Sequence, residues 1–425
     1  MSYTLLRGNF VIRYPDLPRQ GPEPDGDTVK FLPDNPALVE ALPRHSGSPP
    51  DINGRGISVR LEAIDALETH FGETHQELTG AEAARDELLR LLGFTNVVFW
   101  EDLPNKVRSA DQDSIRGHVL TNGIDANGRL IAFVYAGDHP GADGSRVFLD
   151  SPLADASVNA ALLSAGLVYP AFYATLPAEL RAHLADVSAA ARQKALPTGI
   201  WPRSTADPDG PAVIADLASA EQLVMWPKLF RRIVPYLAAG FPDFDGFDAW
   251  LRADPVHRDD ALFLIDKLER GNLHDVVKAS GRQLQLTVWP EGFIINPDPA
   301  PPGSTVNPPL IAVGDVLIVA ALPDPAGADR GAESVTLLNV TPDSIDLAGW
   351  WLSDMVPGSG RANARKDLGG AVAGGTTLRV PLDGSLQLGN QGDGLVLVDP
   401  QGNTIDQVSY KGDRVRAGRT ICFGR

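Results

Sequence analysis

The chain has 425 residues, 43% of them hydrophobic, enough for two or three domains with cores of their own. Its formal charge of -17 at pH 7 argues against a protein that coats nucleic acid through a broad basic surface, yet leaves room for an enzyme with a local cationic pocket. The absence of any apolar run of about eighteen residues excludes a membrane-spanning helix, and the single cysteine, Cys422, excludes an internal disulfide or a cysteine-based zinc site.

The opening residues lack a basic start followed by a long apolar run and a cleavage site, so a cytoplasmic location is the default expectation. Residues 3–13 are expected to form a strand, and 14–24 a Pro-rich irregular segment. Asp25-Gly-Asp27-Thr28 reads as a tight turn into a strand through Phe31. Residues 32–55 hold five prolines and read as a loop, with a short helix at 35–42. The strand at 56–64 alternates, which predicts Arg60, Glu62 and Ile64 on one side and Val59, Leu61 and Ala63 on the other. A helix follows from Thr79 to Leu92, with Thr79 and Glu82 as its capping box and Gly93 as its stop. Strands at 97–100, 115–120 and 129–135 and helices at 158–165 and 177–194 complete a small β-barrel wrapped by about three helices.

The strand at 56–64 runs into Asp65 and Glu68. Two ionised carboxylates three positions apart beside Arg60 are costly to hold together unless they share a cation, and carboxylate oxygens suit a hard divalent ion. The bland alternative is a solvated strand end with unrelated charges.

Five pieces of the first 202 residues, in order, resemble the staphylococcal nuclease (thermonuclease-like) family over about 6–202. They are Asp25-Gly-Asp27-Thr28-Val, Arg60 with Ile64-Asp65-Ala-Leu-Glu68-Thr, Asn127-Gly-Arg129-Leu-Ile-Ala-Phe-Val-Tyr135, the helix around Val158-Asn159, and Gly199-Ile200-Trp201. The resemblance implies an OB-fold-like five-stranded barrel and a nuclease acting on DNA or RNA. It departs from the family at Ala66-Leu67, where Thr-Pro is usual, and at Ala126-Asn127, where a lysine is common.

Residues 203–295 read as a mainly helical middle region, with helices over 212–239 and 247–279, broken by Pro227, Pro235 and Pro255, and one strand at 283–289. Trp226, Phe230, Phe241, Phe244, Phe247 and Trp250 read as a packed core rather than a ligand-binding stripe. Residues 296–313 are a Pro-rich linker. From 314 to 425 short strands separated by Gly, Pro and Asp turns predict an immunoglobulin-like β-sandwich. There Ile345-Asp-Leu-Ala-Gly-Trp350, Leu388-Gly-Asn390-Gln-Gly-Asp393 and Asp406-Gln-Val-Ser-Tyr410 resemble the lamin-tail domain family, similar to modules appended to bacterial nucleases. Cys422 is expected to close the last strand as a small apolar residue. The fold expected for the whole chain is thus a multidomain α+β one.

Hydrolysis of a phosphodiester needs a water that loses its proton and a phosphoryl group whose charge is stabilised. Arg60 and Arg129 are the candidates for the second need, because a guanidinium binds two phosphate oxygens and stays protonated. The resemblance implies Asp27, Asp65 and the Ala66 carbonyl as ligands of Ca2+, with Mg2+ or Mn2+ as alternatives, and Glu68 as the group that orients or deprotonates water. Tyr169, Phe172 and Tyr173 are candidates for stacking on bases. His70 and His75 are expected to be loop residues. The C-terminal domain is expected to bind a protein partner or a second copy of the chain. The alternative reading is a catalytically silent nuclease-like scaffold that binds nucleic acid or protein, against which stands the presence of Asp27, Arg60, Asp65, Glu68 and Arg129 together.

Overall fold

The barrel closes because one long strand serves both ends of the sheet. In the computed structural model, which describes residues 2–296, 314–327, 331–341, 344–354, 364–400 and 404–423, the chain begins with β1 (Ser2–Val11), β2 (Thr28–Pro33), α1 (Pro36–Glu40), β3 (Ile57–Leu61), β4 (Ala63–Asp65) and α2 (Leu78–Leu92). It continues through the short β5 (Val98–Phe99) and β6 (Val107–Ser109), then β7 (Ser114–Ile124), β8 (Leu130–Ala136), β9 (Arg146–Phe148), α3 (Ser151–Asp155), α4 (Val158–Ser164), β10 (Tyr169–Ala171) and α5 (Ala178–Lys194). The strand order β2-β3-β8-β7-β1 is closed by pairing of β1 with β2, which makes a five-stranded, OB-like barrel. Strands β3 and β8 run parallel, with Arg60 beside Ile131. Tight closure needs small residues where strands cross: a Cβ on Gly117 would lie 2.2 Å from the Phe10 ring.

The cap of helix α2 lies two residues earlier than its sequence suggests. Glu77, not Thr79, caps it by accepting from the Gly80 N–H at 2.7 Å, and Gly93 ends it in the left-handed conformation. Glu77 also pairs with Arg203, a contact that lies beyond local sequence.

The middle region departs from expectation. It holds α6 (Leu217–Ala220), α7 (Pro227–Ala238), α8 (Phe247–Arg252) and α9 (Leu273–Val276), together with β11 (Ala212–Val213), β12 (Ala261–Leu264), β13 (Glu269–Asn272), β14 (Val277–Ser280), β15 (Gln283–Leu286) and β16 (Phe293–Ile295). These strands form two three-stranded sheets, β11-β15-β14 and β13-β12-β16, so the region is mixed α and β rather than mainly helical. Short apolar runs such as Ala261–Leu264 fit either period, and sheet partners decided them as strands. The expected aromatic core holds for Trp226, Phe230, Phe244 and Phe247, whereas Phe241 is 39% exposed.

The middle region shares a core with the barrel unit. Leu67, Ala81, Tyr169, Ile200 and Trp201 pack in one cluster with Met225, Trp226, Leu229 and Phe230. The linker expected over 296–313 lies outside the described residues apart from Asn296. In the C-terminal region Val316–Leu322, Ser334–Asn339, Thr377–Pro381 and Ile421–Cys422 form one four-stranded sheet. Trp351–Asp354, Arg365–Asp367, Gly392–Val398 and Thr404–Lys411 form another. Trp350, Leu352, Leu397 and Tyr410 fill the core between them. Cys422 does sit in the last strand, but exposed. Glu179 of α5 joins this region to the barrel unit, accepting from Ser409 and pairing with Arg414, each at 3.0 Å. No helix among the described residues is long and apolar enough to cross a membrane.

Candidate active site

The Asp25–Thr28 turn places Asp27 against the end of β3, where the Leu61 N–H donates to the Asp27 carbonyl at 2.8 Å and Thr28 faces Arg60 across the ladder. The Asp27 carboxylate accepts from the Thr28 hydroxyl at 3.0 Å and, through its other oxygen, from the Ala66 N–H at 2.7 Å. The N–H is thus the Ala66 group that the structure brings to Asp27. Arg60 pairs with both Asp27 and Asp65, and all three side chains are largely withdrawn from solvent.

The alternation expected through 56–64 stops at Glu62. Ala63 takes a positive φ of 72°, which ends β3 and starts β4, and Asn159 of α4 holds the break by donating to the carbonyls of Glu62 at 2.8 Å and Ala132 at 3.0 Å. Two consequences follow for direction. Asp65 turns toward Arg60, and Glu62 turns away into the barrel, where it accepts from Asn122 at 3.1 Å. Burial, unmatched by any cation, pushes the Glu62 carboxyl up to about 8.

A residue that the sequence reading missed completes the cluster. Arg231 of α7 donates to both oxygens of Asp65, at 3.1 and 3.0 Å, and pairs with Glu68. Its helix begins at Pro227 and buries Leu229, Phe230, Ile233 and Tyr236, which leaves Arg231 on the flank that meets Asp65. The amphipathic spacing of Leu229, Phe230 and Ile233 carried a signal for the helix and none for what its arginine reaches. Gln76, fully buried, ties the two parts: its amide oxygen accepts from the Glu68 N–H at 3.2 Å and its amide nitrogen donates to the Met225 carbonyl at 2.9 Å.

Four carboxylates, Asp25, Asp27, Asp65 and Glu68, therefore surround two guanidiniums. Burial works against the Asp65 carboxylate, but Arg231 and Arg60 outweigh it and hold Asp65 below its ordinary range. Burial raises Glu68, with Arg231 opposing and Asp65 and Asp27 adding to the rise. Burial, then Asp27 and Glu68, push Asp25 well above its ordinary value.

Arg129 lies on the same sheet face as Ile131 and Arg60, and these three residues line one small cleft, partly open to solvent, with Glu62 and Tyr173. Arg129 is also tied to its own hairpin, Nε to Asp125 at 2.8 Å. Of the three aromatic candidates, Tyr173 alone reaches this cleft. Tyr169 is buried, its hydroxyl 2.7 Å from that of Ser204 and its ring edge-on to Trp201, and Phe172 is buried in the barrel core, so neither has a ring face open to a base. His70 and His75 are loop residues as expected: His70 pairs with Glu23 at 3.3 Å, and His75 contacts the Gln76 carbonyl at 2.7 Å.

The divalent ion implied by the resemblance does not fit these side chains as they stand. Arg60 and Arg231 lie on the carboxylates that would hold it, and among the described residues no group of three His, Cys, Asp or Glu side chains is arranged around a common point for a metal.

The paired four-stranded sheets, the Gly349-Trp350 corner and the Asn390-to-Asp393 turn lie in the stretch where a family match is found. Residues 310–412 match the family model of the Lamin Tail Domain. The C-terminal β-rich unit thus contains the stretch that matches a lamin tail domain, with the Trp350 side chain at its core. No curated protein matches the chain.

Proposed function

We propose that the barrel unit hydrolyses phosphodiester bonds of DNA or RNA, with the lamin tail domain as an appended binding module. The observation that supports this best is the pair of guanidiniums, Arg60 in β3 and Arg129 immediately before its parallel neighbour β8, which line one cleft together with Tyr173. A phosphodiester bridged between them has its equatorial oxygens neutralised, and Tyr173 offers a ring to an adjacent base. Glu68 takes the proton of a water whose oxygen forms the new bond to phosphorus; the departing ester oxygen leaves with its bonding pair and is protonated by solvent. A carboxylate raised by burial is a better base for this than an ordinary one.

A second reading, a silent scaffold that binds nucleic acid or protein, is favoured by one specific observation. Arg60, Arg129 and Glu68 all have partners within the chain, so a substrate phosphate must compete with Asp27, Asp65 and Asp125 for its contacts. Incubation of the full chain with single-stranded DNA, duplex DNA and RNA, each with Ca2+, Mg2+ or chelator, separates the two. The enzyme reading expects cleavage that Arg60→Ala abolishes. Absence of cleavage of all three substrates at stoichiometric protein overturns it, and retained binding without cleavage would establish the scaffold.

A further inference from the structure

Asp65 and Glu68 were expected to share a cation, and the structure supplies one from another part of the chain. The Arg231 guanidinium bridges the two carboxylates, with Nη2 on both oxygens of Asp65 and Nη1 on Glu68. Its position is held from both sides. Behind it, α7 is seated by its buried Leu229, Phe230 and Ile233, and Lys228 and Arg232 on the same helix each meet Asp260 at 2.8 Å. In front, Arg60 pairs with both Asp27 and Asp65, while the Ala66 N–H donates to the second oxygen of Asp27.

A hard divalent ion needs several oxygens drawn to about 2.3–2.6 Å around one point. A guanidinium in that space holds the oxygens apart and repels the incoming charge, and it stays protonated at every working pH. We propose that Arg231 is the resident counter-cation of this site, so that the native chain takes no divalent ion among Asp27, Asp65 and Glu68. The inference deepens the site assigned above and concerns its charge balance, which can be read without any reaction. It makes the middle region part of the site, because that region delivers the cation, and it makes any cleavage by this chain indifferent to chelators.

The test is Ca2+ titration calorimetry on the full chain with no nucleic acid present. The native chain is expected to show no Ca2+ binding that depends on Glu68. Arg231→Met, which keeps the length and packing of the side chain without its charge, is expected to gain one Ca2+ with an affinity roughly 100-fold or more above that of the native chain, as carboxylates freed of a cation become ligands. Arg231→Lys, which restores a cation, is expected to gain none. A native chain that binds one Ca2+, lost in Glu68→Gln, overturns the proposal, and so does a folded Arg231→Met chain that takes no ion. Should Arg231→Met not fold, the comparison of the native chain with Glu68→Gln decides. Failure of the hydrolysis reading would appear as absence of cleavage and leaves these binding results unchanged.

Discussion

Arg231 and Asp65 are 166 residues apart in sequence, yet one guanidinium nitrogen of Arg231 donates to both Asp65 oxygens at 3.1 and 3.0 Å. The pair joins the middle region to the barrel at the candidate site, where removal of one partner leaves a charge buried without its counterpart.

Arg60 serves both stability and binding. Arg60→Ala leaves Asp27 and Asp65, 4% and 1% exposed, without a shared partner and is expected to destabilise the chain by about 3–5 kcal/mol. Arg60→Lys keeps the charge but not the fork, so thermal melting is expected to stay near that of the native chain while cleavage falls by about 100-fold or more. Melting by circular dichroism and a cleavage assay on the same samples read the two effects apart.

The pH dependence of cleavage reports Glu68. Because its pKa is raised, the rising limb of the rate profile is expected above the usual carboxylate range, as the base loses its proton. Glu68→Gln is expected to lower kcat by about 100-fold to 10,000-fold and to remove that limb. A limb unchanged in Glu68→Gln assigns it to another group.

Glu62 gives a pH effect on stability of opposite sense to that of a paired carboxylate. Its folded value, about 8, lies above the ordinary 4.5, so the folded chain holds the proton more tightly than the unfolded chain between these two values. Stability from this group is therefore fully present below pH 4.5 and is lost as pH rises to about 8, by roughly 2–5 kcal/mol. Urea unfolding across that range is expected to show a fall that Glu62→Gln largely removes.

Tyr173 and Tyr169 should behave differently. Tyr173→Ala removes the ring that lines the cleft and is expected to weaken binding of a single-stranded oligonucleotide by about 1–3 kcal/mol. Tyr169→Phe loses the hydroxyl contact with Ser204 and is expected to cost about 1 kcal/mol of stability with binding unchanged. Fluorescence anisotropy and urea unfolding on both variants check this.

Trp350 is 1% exposed in the core of the lamin tail domain. Trp350→Ala is expected to destabilise that domain by about 3–5 kcal/mol. Limited proteolysis should then cut residues 314–425 first and leave the barrel unit protected.

What the sequence by itself determined is what local pattern and short spacing encode. The strands β1, β2, β7 and β8, the helices α4 and α5, and the main strands of the lamin tail domain follow from alternation, helical spacing and turn residues. The neighbourhood of Arg60, Asp65 and Glu68 was legible because it lies within one short stretch. Tertiary structure decided the rest. Whether Leu262 and Leu264 sit in a helix or in a strand depended on sheet partners, and the burial of Tyr169 and Phe172 depended on which faces Trp201 and the barrel core took up. Glu62 points inward because Asn159, 97 residues later, holds a break that no local rule requires. The cation that Asp65 and Glu68 demand on electrostatic grounds could be argued from their spacing, but its identity could not. It is set by the packing of α7 against the barrel unit, which places a guanidinium from a distant helix on both carboxylates.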